Sequence, residues 1–209
     1  TDLKYPQHPV KFRSIPKAIV EAETGISAMD ECIQEFYETG YIHNHMRMYI
    51  AAVCCNIGQY HWLNPAQWMY YNLLDGDWGS NALSWQWVAG TTRQKKYIAN
   101  QENINKYFST HDFDTFLNKP YEELYSFKEI PEALKSTTSL PLKTTLPKQQ
   151  KLKIDNEKDT YIFNSYNLDS LWSKNKDVNR ILLLEPSHFS TYPVSDQVMS
   201  FIIESRMII

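Results

Sequence analysis

The chain has 209 residues, a formal charge of −3, 43 % hydrophobic residues and 14 % aromatic residues. This hydrophobic content excludes a disordered chain, and the net charge argues against a protein that holds nucleic acid by a densely basic surface. The longest apolar run, MYIAAVCC, is too short to span a membrane, and the N-terminus lacks the apolar core of a signal peptide. We therefore expect a folded, cytoplasmic protein without membrane contact.

Helical periodicity dominates the first part of the chain. After a lead-in punctuated by prolines, apolar residues recur at steps of three and four over residues 25–39 and again over residues 44–57, and a glycine follows each segment. A third helix is predicted from residue 64, where Asn precedes Pro, and it ends before a DGD sequence. The sequence thus predicts a helical domain over residues 1–130.

The composition changes after this domain. Residues 131–160 are rich in Pro, Thr, Ser and Lys, which predicts a linker. Two apolar runs, TYIFNSYNL and RILLLEP, are then typical of strands, and a helix that buries Phe201 and Ile202 is expected after them. Residues 161–209 are therefore predicted to form a partial α/β segment. The predicted fold class is mainly α, with a helical domain, a linker and a small incomplete α/β unit.

Two segments of the helical domain carry most of the functional information. They are TGYIHNHMRM at residues 39–48 and DGDWGSNALSWQW at residues 75–87. The helix that begins in the first segment has polar residues on one face of its first turn, and the small residues Ala51 and Cys55 follow on that face. Small residues let a flat group approach the backbone closely, and ordinary packing against another helix is the alternative.

This pair of segments resembles the two signature segments of the C-terminal FAD-binding domain of the DNA photolyase/cryptochrome family. The similarity covers roughly residues 20–110 and rests on the patterns TGxxHNxxRM and DGDxxxNxxxWQW. It implies a helical photolyase-type FAD-binding domain with FAD as the cofactor. It does not identify an antenna chromophore.

The resemblance assigns cofactor-binding roles to five residues. Arg47 and Asp75 match an ion pair that lies beside the isoalloxazine ring of the flavin. Asn81 matches the side chain that faces flavin N5, and Asp77 matches a contact to the hydroxyl-bearing linker of FAD. Asn44 completes the set. For the Arg47–Asp75 pair, an ordinary solvated salt bridge is the alternative interpretation.

The resemblance also implies a chain of aromatic rings that carries electrons between the flavin and the surface. Trp85 and Trp62 match its inner and middle members, although core packing alone would also explain buried Trp residues. The outer Trp would fall near Pro9, where the sequence has none, so Tyr41 or Tyr60 is the candidate replacement.

Two further residues of the implied catalytic set, Met48 and Trp87, match positions that line the cavity for a flipped-out pyrimidine dimer, as does Asn44. Plain packing is the alternative for each. The basic residues Arg93, Lys95 and Lys96 could contact DNA phosphates at the rim of this cavity, or form a solvated face. No metal site is expected, because the HxH pair at residues 43–45 has no further ligand at suitable spacing.

The sequence leaves three functions open. The first is a photolyase-like carbon–carbon lyase, in which light-excited reduced FAD transfers an electron to a pyrimidine dimer in damaged DNA. The second is a cryptochrome-like blue-light sensor without repair, and the third is a flavin-free remnant kept for interactions. In the family, a Ser/Thr-rich segment upstream of these helices holds the FAD phosphates, and this chain does not contain it. We therefore expect weak or lost FAD binding, with a second chain or an N-terminal half as a partner.

Overall fold

A computed structural model of the chain describes residues 1–149, 151, 153–168 and 176–207. The chain divides into two compact units, Thr1–Pro141 and Leu142–Ile209. The structure is mainly helical with small sheets, which confirms the predicted fold class. Among the described residues, no helix is both long enough and apolar enough to cross a membrane.

The first unit is built mainly from helices. Helix α5 packs against both α3 and α4, and the buried rings of Tyr49, Trp68 and Trp85 fill the core of the unit. The elements in chain order are β1 (Ile15–Pro16), α1 (Lys17–Val20), α2 (Ser27–Thr39), α3 (Asn44–Ala52), a π-helix (Val53–Ile57), α4 (Leu63–Asn72), α5 (Trp78–Ala89), α6 (Gln101–Phe108), α7 (Tyr121–Tyr125), a 3-10 helix (Glu132–Leu134) and β2 (Thr137–Thr138).

Helix α2 buries one face and ends at a glycine, as the sequence pattern predicts. Met29, Ile33 and Phe36, spaced three and four residues apart, are buried on that face. Gly40 follows the helix with a φ of +68°, and its N–H donates to the carbonyl of Phe36 at 2.9 Å. This left-handed backbone conformation favours glycine, and it turns the chain towards α3.

The second predicted helix is shorter than the sequence pattern suggests. Helix α3 ends at Ala52, and the chain continues as a π-helix whose five residues are all buried. Asn56 in this π-helix donates its side-chain amide to the carbonyls of Val88 at 2.9 Å and Tyr97 at 2.8 Å. These bonds tie the π-helix to the end of α5, which gives the widened turn a structural role.

The structure places the first residues of the predicted linker in the first unit. Leu134 is fully buried, and its carbonyl accepts the hydroxyl of Tyr60 at 2.8 Å. Strand β2 pairs antiparallel with β1, with Thr138 opposite Ile15. The polar composition of residues 131–141 does not indicate that they pack on the first unit, because Leu134 is the one buried residue among them. The described residues from 139 to 159 form neither helix nor strand.

The second unit is a small α/β assembly. Strands β3 (Thr160–Phe163) and β4 (Asn179–Leu182) are parallel, and helices α8 (Pro186–Thr191) and α9 (Asp196–Met207) follow them. Ile202 is buried, but the expectation for Phe201 is wrong because its side chain is 42 % exposed. Consecutive helical residues point about 100° apart, so only one of the two faces the core. Residues 169–175 and 208–209 of the predicted α/β segment lie outside the described residues.

Candidate functional site

A cleft of about 170 Å³ opens where α3, α4 and α5 meet. Helices α3 and α5 each contribute residues three and four positions apart, which places them on one face. All the predicted site residues except Trp62 and Trp87 line this cleft. The lining residues are Asn44, Arg47, Met48, Ala51, Met69, Leu73, Asp75, Asp77, Ser80, Asn81, Ser84, Trp85 and Val88.

An ion pair between Arg47 and Asp75 lies at this cleft. One terminal nitrogen of the guanidinium, Nη2, donates to both carboxylate oxygens of Asp75, at 3.1 and 3.0 Å. The Nε–H of Arg47 donates to the carbonyl of Ile42 at 2.8 Å, so the guanidinium is held from two sides. The side chain of Arg47 is 23 % exposed and that of Asp75 is 59 % exposed. Because the pair is partly solvated, it fixes an orientation more than it stabilises the fold.

Asp77 and Asn81 connect the cleft to the start of α5. Asp77 is the N-cap of this helix, and its Oδ1 accepts the backbone N–H of Ser80 at 2.7 Å. Asn81 donates its Nδ2 to the carbonyl of Ala66 on α4 at 2.8 Å. This bond leaves Oδ1 of Asn81 as a hydrogen-bond acceptor beside the cleft. The site residues of α5 are therefore positioned by hydrogen bonds as well as by packing.

The inner wall of the cleft is largely apolar. Trp85 is buried, with 2 % of its surface exposed, and Ala51 and Val88 line the cleft with it. Sequence reasoning missed Ser80 and Ser84 as lining residues. Their helical spacing from Asp77 and Asn81 is the signal that could have found them.

Trp62 lies outside the cleft lining. It is 3 % exposed, and its indole Nε1–H donates to Oδ1 of Asp2 at 2.8 Å. Within the described part of the chain, no ring contact pairs Trp62 with Trp85. Of the two candidate replacements for an outer Trp, Tyr60 is buried and Tyr41 is 56 % exposed.

Trp87 also lies outside the cleft lining, because it follows Trp85 by two positions on α5 and points to another face. Its ring is 5.7 Å from that of Tyr97, and the guanidinium of Arg93 lies 4.0 Å above the Trp87 ring centre. Lys95 is exposed, whereas Lys96 is half-buried and burial lowers its pKa. The basic segment therefore offers two exposed cations, one of them stacked on Trp87.

The described residues contain no group of three His, Cys, Asp or Glu side chains that could hold a metal ion. The two histidines of the HxH sequence have a local role at the start of α3. His43 is the N-cap, and its Nδ1 accepts the backbone N–H of His45 at 3.3 Å. Their rings also stack, with centres 5.3 Å apart.

Sequence comparisons place these observations in a family. The family model described as the FAD binding domain of DNA photolyase matches residues 5–170. The chain belongs to this family. FAD is accordingly the cofactor indicated for the chain.

Curated relatives carry both photolyase and cryptochrome names. The deoxyribodipyrimidine photo-lyase of Agrobacterium fabrum is 33 % identical over 75 residues, which is 36 % of this chain and 16 % of that protein. Cryptochrome-1 of Arabidopsis thaliana is 28 % identical over 98 residues, or 47 % and 14 %. The putative mitochondrial cryptochrome DASH of Neurospora crassa is 26 % identical over 132 residues, or 63 % and 18 %. The matched segments thus cover less than a fifth of each relative.

The residue types that line the cleft suit the ring system of FAD. Its volume of about 170 Å³ is comparable to that of an apolar cavity that holds one benzene ring, roughly 150 Å³, so a three-ring isoalloxazine would extend beyond it through the open side. An isoalloxazine ring is flat and apolar over its faces, with polar groups along one edge. The donors of Arg47 and the acceptor Oδ1 of Asn81 match such an edge, and the apolar wall beside Trp85 matches the faces.

Proposed function

We propose that this chain is the flavin-holding part of a photolyase-like flavoprotein that repairs UV-damaged DNA. The observation that carries the proposal is the arrangement of the Arg47–Asp75 ion pair, the Asn81 carboxamide and the Trp85 ring around one cleft. The membership of the photolyase FAD-binding family supports it. The reaction would be a carbon–carbon lyase step that splits a pyrimidine dimer.

The residues of the cleft would bind and tune the cofactor. The guanidinium of Arg47, held by Asp75, would lie beside the polar edge of the ring and favour negative charge there. The Oδ1 atom of Asn81 would accept a hydrogen bond from N5 when that nitrogen carries a proton. Bound FAD would supply the light-driven one-electron chemistry. Asp77 and Asn44 would contact the rest of the cofactor.

Damaged DNA is the proposed substrate. Asn44 and Met48 line the same cleft as Arg47, Asp75 and Asn81. A pyrimidine dimer flipped out of the duplex would therefore contact the Asn44 and Met48 side chains next to the flavin. Trp85 and Trp62 would relay electrons to the flavin. Trp87 would contact the lesion, and this contact requires the Arg93 guanidinium to move off the half-buried Trp87 ring or to bind a neighbouring phosphate.

We further propose that the chain by itself binds FAD weakly. The cleft lining contains one guanidinium, on Arg47, and two carboxylates, on Asp75 and Asp77. Because the FAD pyrophosphate is negatively charged, this set provides no net attraction for it. Cations from a second chain or from an N-terminal half would hold the phosphates, with this domain as the C-terminal part of the assembly.

A cryptochrome-like blue-light sensor is the second candidate. The similarity to Cryptochrome-1 of Arabidopsis thaliana and to the cryptochrome DASH of Neurospora crassa supports it. A sensor would use the same flavin contacts, and it would not need Met48 and Trp87 to receive a DNA lesion.

The two functions can be separated with the full chain. FAD is titrated against the protein and followed by flavin fluorescence and absorption, and the reduced complex is then illuminated with blue light in the presence of DNA that carries one pyrimidine dimer. Saturable binding followed by dimer splitting is the expected result, whereas binding without splitting would favour the sensor. A chain that causes no saturable change in flavin fluorescence or absorption at any FAD concentration would contradict both.

A further inference from the structure

The carboxylate of Asp2 contacts the indole of Trp62 in the first unit. Oδ1 of Asp2 accepts the Nε1–H of Trp62 at 2.8 Å and lies 3.2 Å from the Nε2 nitrogen of His61. Oδ2 accepts the backbone N–H of Gln7 at 2.8 Å. The side chain of Gln7 accepts the backbone N–H of Trp62 on its Oε1 at 3.0 Å and donates its Nε2 to the Tyr60 carbonyl at 2.7 Å. The N-terminal segment is therefore fixed around this indole.

The proton positions in the cluster follow from these bonds. Nδ1 of His61 accepts the backbone N–H of Leu63 at 3.3 Å, so a neutral His61 carries its proton on Nε2 and donates it to Asp2. Burial lowers the pKa of His61, and the positive charges of Arg13 and the N-terminal amino group lower it further. The attraction of the Asp2 carboxylate raises this pKa but does not outweigh those effects. A neutral imidazole is thus favoured at neutral pH.

Asp2 is a carboxylate under the same conditions. Burial alone would raise its pKa, but hydrogen bonds from the Gln7 N–H and the Trp62 indole, with His61 beside it, outweigh that effect and the pKa lies below its usual value. The Trp62 indole N–H therefore donates to a charged acceptor within the distance that proton transfer requires.

We propose that Asp2 is the proton acceptor for Trp62 when that indole loses an electron. The inference rests on the proposed role of Trp62 as an electron relay. Removing one electron from an indole makes its N–H strongly acidic. The N–H bond of Trp62 would break, an O–H bond would form on Asp2, and the electron would leave towards the photo-excited flavin.

The charge change of the pair favours this step. Before oxidation the Trp62–Asp2 pair carries a charge of about −1, and after loss of one electron with internal proton transfer it is neutral. Without the carboxylate, a cation would form on a ring that is 97 % buried, which disfavours oxidation. When an electron returns to Trp62, the proton returns with it. Asp2 thereby makes the relay a coupled transfer of an electron and a proton.

The test uses the full chain without FAD, so its outcome does not depend on flavin binding. A ruthenium polypyridyl oxidant, generated by a laser flash, removes one electron from the protein. Time-resolved absorption and electron paramagnetic resonance then distinguish the neutral tryptophanyl radical from the cation radical. The signal of the Trp62→Phe variant, which comes from the other tryptophans, is subtracted from the signal of the native chain. Asp2→Asn removes the base, Asp2→Glu keeps a carboxylate, and Asp114→Asn is the matched loss of an exposed carboxylate.

A neutral radical at Trp62 is expected in the native chain, in Asp2→Glu and in Asp114→Asn. In Asp2→Asn the cation radical should replace it, with the yield of long-lived radical reduced at least about tenfold. A neutral radical that forms equally fast in Asp2→Asn would overturn the proposal. A cation radical at Trp62 in the native chain would do so as well, and this result requires only that the Trp62→Phe variant folds. Failure of FAD binding would contradict the flavoprotein function alone.

Discussion

At the scale of single residues, Arg47 shows how a weak ion pair can define a site. Its pairing with Asp75 is partly solvated, so the attraction contributes little to folding stability. The hydrogen bond from its Nε to the Ile42 carbonyl restricts the guanidinium further. The two bonds together hold a positive charge at the edge of the cleft before any ligand arrives, which favours binding of a polar ring edge.

Substituting this residue should reduce flavin affinity. We expect Arg47→Ala to weaken FAD binding at least about tenfold, because one charge-assisted hydrogen bond is worth roughly 1.5–3 kcal/mol. Lys106→Ala, which removes one positive charge from α6 outside the cleft, should leave the affinity unchanged. Both are measured by FAD titration with fluorescence detection. Equal losses in the two variants would show that net charge, and not the cleft, governs binding.

The residues of the cleft were predictable where they belong to the two signature segments. Arg47 and Asp75 lie in different segments, and their pairing follows from the resemblance. The contact of Asp2 with Trp62 was not predictable, because the two residues are far apart in sequence and no spacing rule links them. The position of Trp87 illustrates a further limit, since a motif names a residue without stating which helix face carries it.

At the scale of elements, the turn after α2 links helix termination to the site. A Cβ atom on Gly40 would lie 2.5 Å from Cγ of Leu74, and the Gly40 carbonyl accepts the Leu74 N–H at 3.0 Å. Leu74 directly precedes Asp75, so this contact positions the carboxylate that holds Arg47. The stop signal at Gly40 was predictable from the sequence. The π-helix after α3 was not, because an apolar periodicity does not distinguish it from another α-helical turn.

Gly40→Ala should therefore destabilise the protein more than Gly25→Ala. Both glycines have positive φ, so each alanine costs about 1–2 kcal/mol in backbone strain. Gly25 has no atom within 4 Å of an added Cβ, whereas Gly40→Ala also meets Leu74 and should cost about 1–3 kcal/mol more. Urea unfolding followed by circular dichroism measures the difference. The contact with Leu74 would be unimportant if the two free energies of unfolding fell equally.

The capping role of Asp77 at the start of α5 can be tested separately from its proposed cofactor contact. Its Oδ1 accepts the Ser80 N–H, so Asp77→Ala should lower the free energy of unfolding by about 1 kcal/mol. Asp77→Asn keeps a capping oxygen and should unfold close to the native chain. Thermal unfolding compares the three proteins. If Asp77→Asn lost as much stability as Asp77→Ala, the negative charge near the helix N-terminus, and not the hydrogen bond, would be the stabilising feature.

At the scale of the whole molecule, the chain divides into two compact units with their boundary between Pro141 and Leu142, and the described residues from 139 to 159 form neither helix nor strand. The change in composition at residue 131 predicts such a segment, but it places the start of the segment too early. Buried Leu134 and the pairing of Thr138 with Ile15 attach residues 131–141 to the first unit. The small size of the second unit was predictable from the few strand-like runs. Its parallel strand pairing depends on contacts across a long connection, which local sequence patterns do not encode.

Limited trypsin digestion should distinguish the start of the second unit, residues 142–159, from the helices and strands of the two units. Lys148, Lys151 and Lys153 are exposed and lie outside helices and strands, so we expect the first cuts there. Lys158 pairs with Asp155 and Asp177 at 3.6 and 2.8 Å, and Arg180 lies in β4, so cuts after these residues should be slower. Mass spectrometry of early time points identifies each cut. A Lys148→Gln, Lys151→Gln, Lys153→Gln variant should resist digestion of this segment longer than the native chain, because it lacks the three exposed cleavage sites there. Early cleavage after Arg180 instead would show that the parallel strand pair opens more readily than the segment before it.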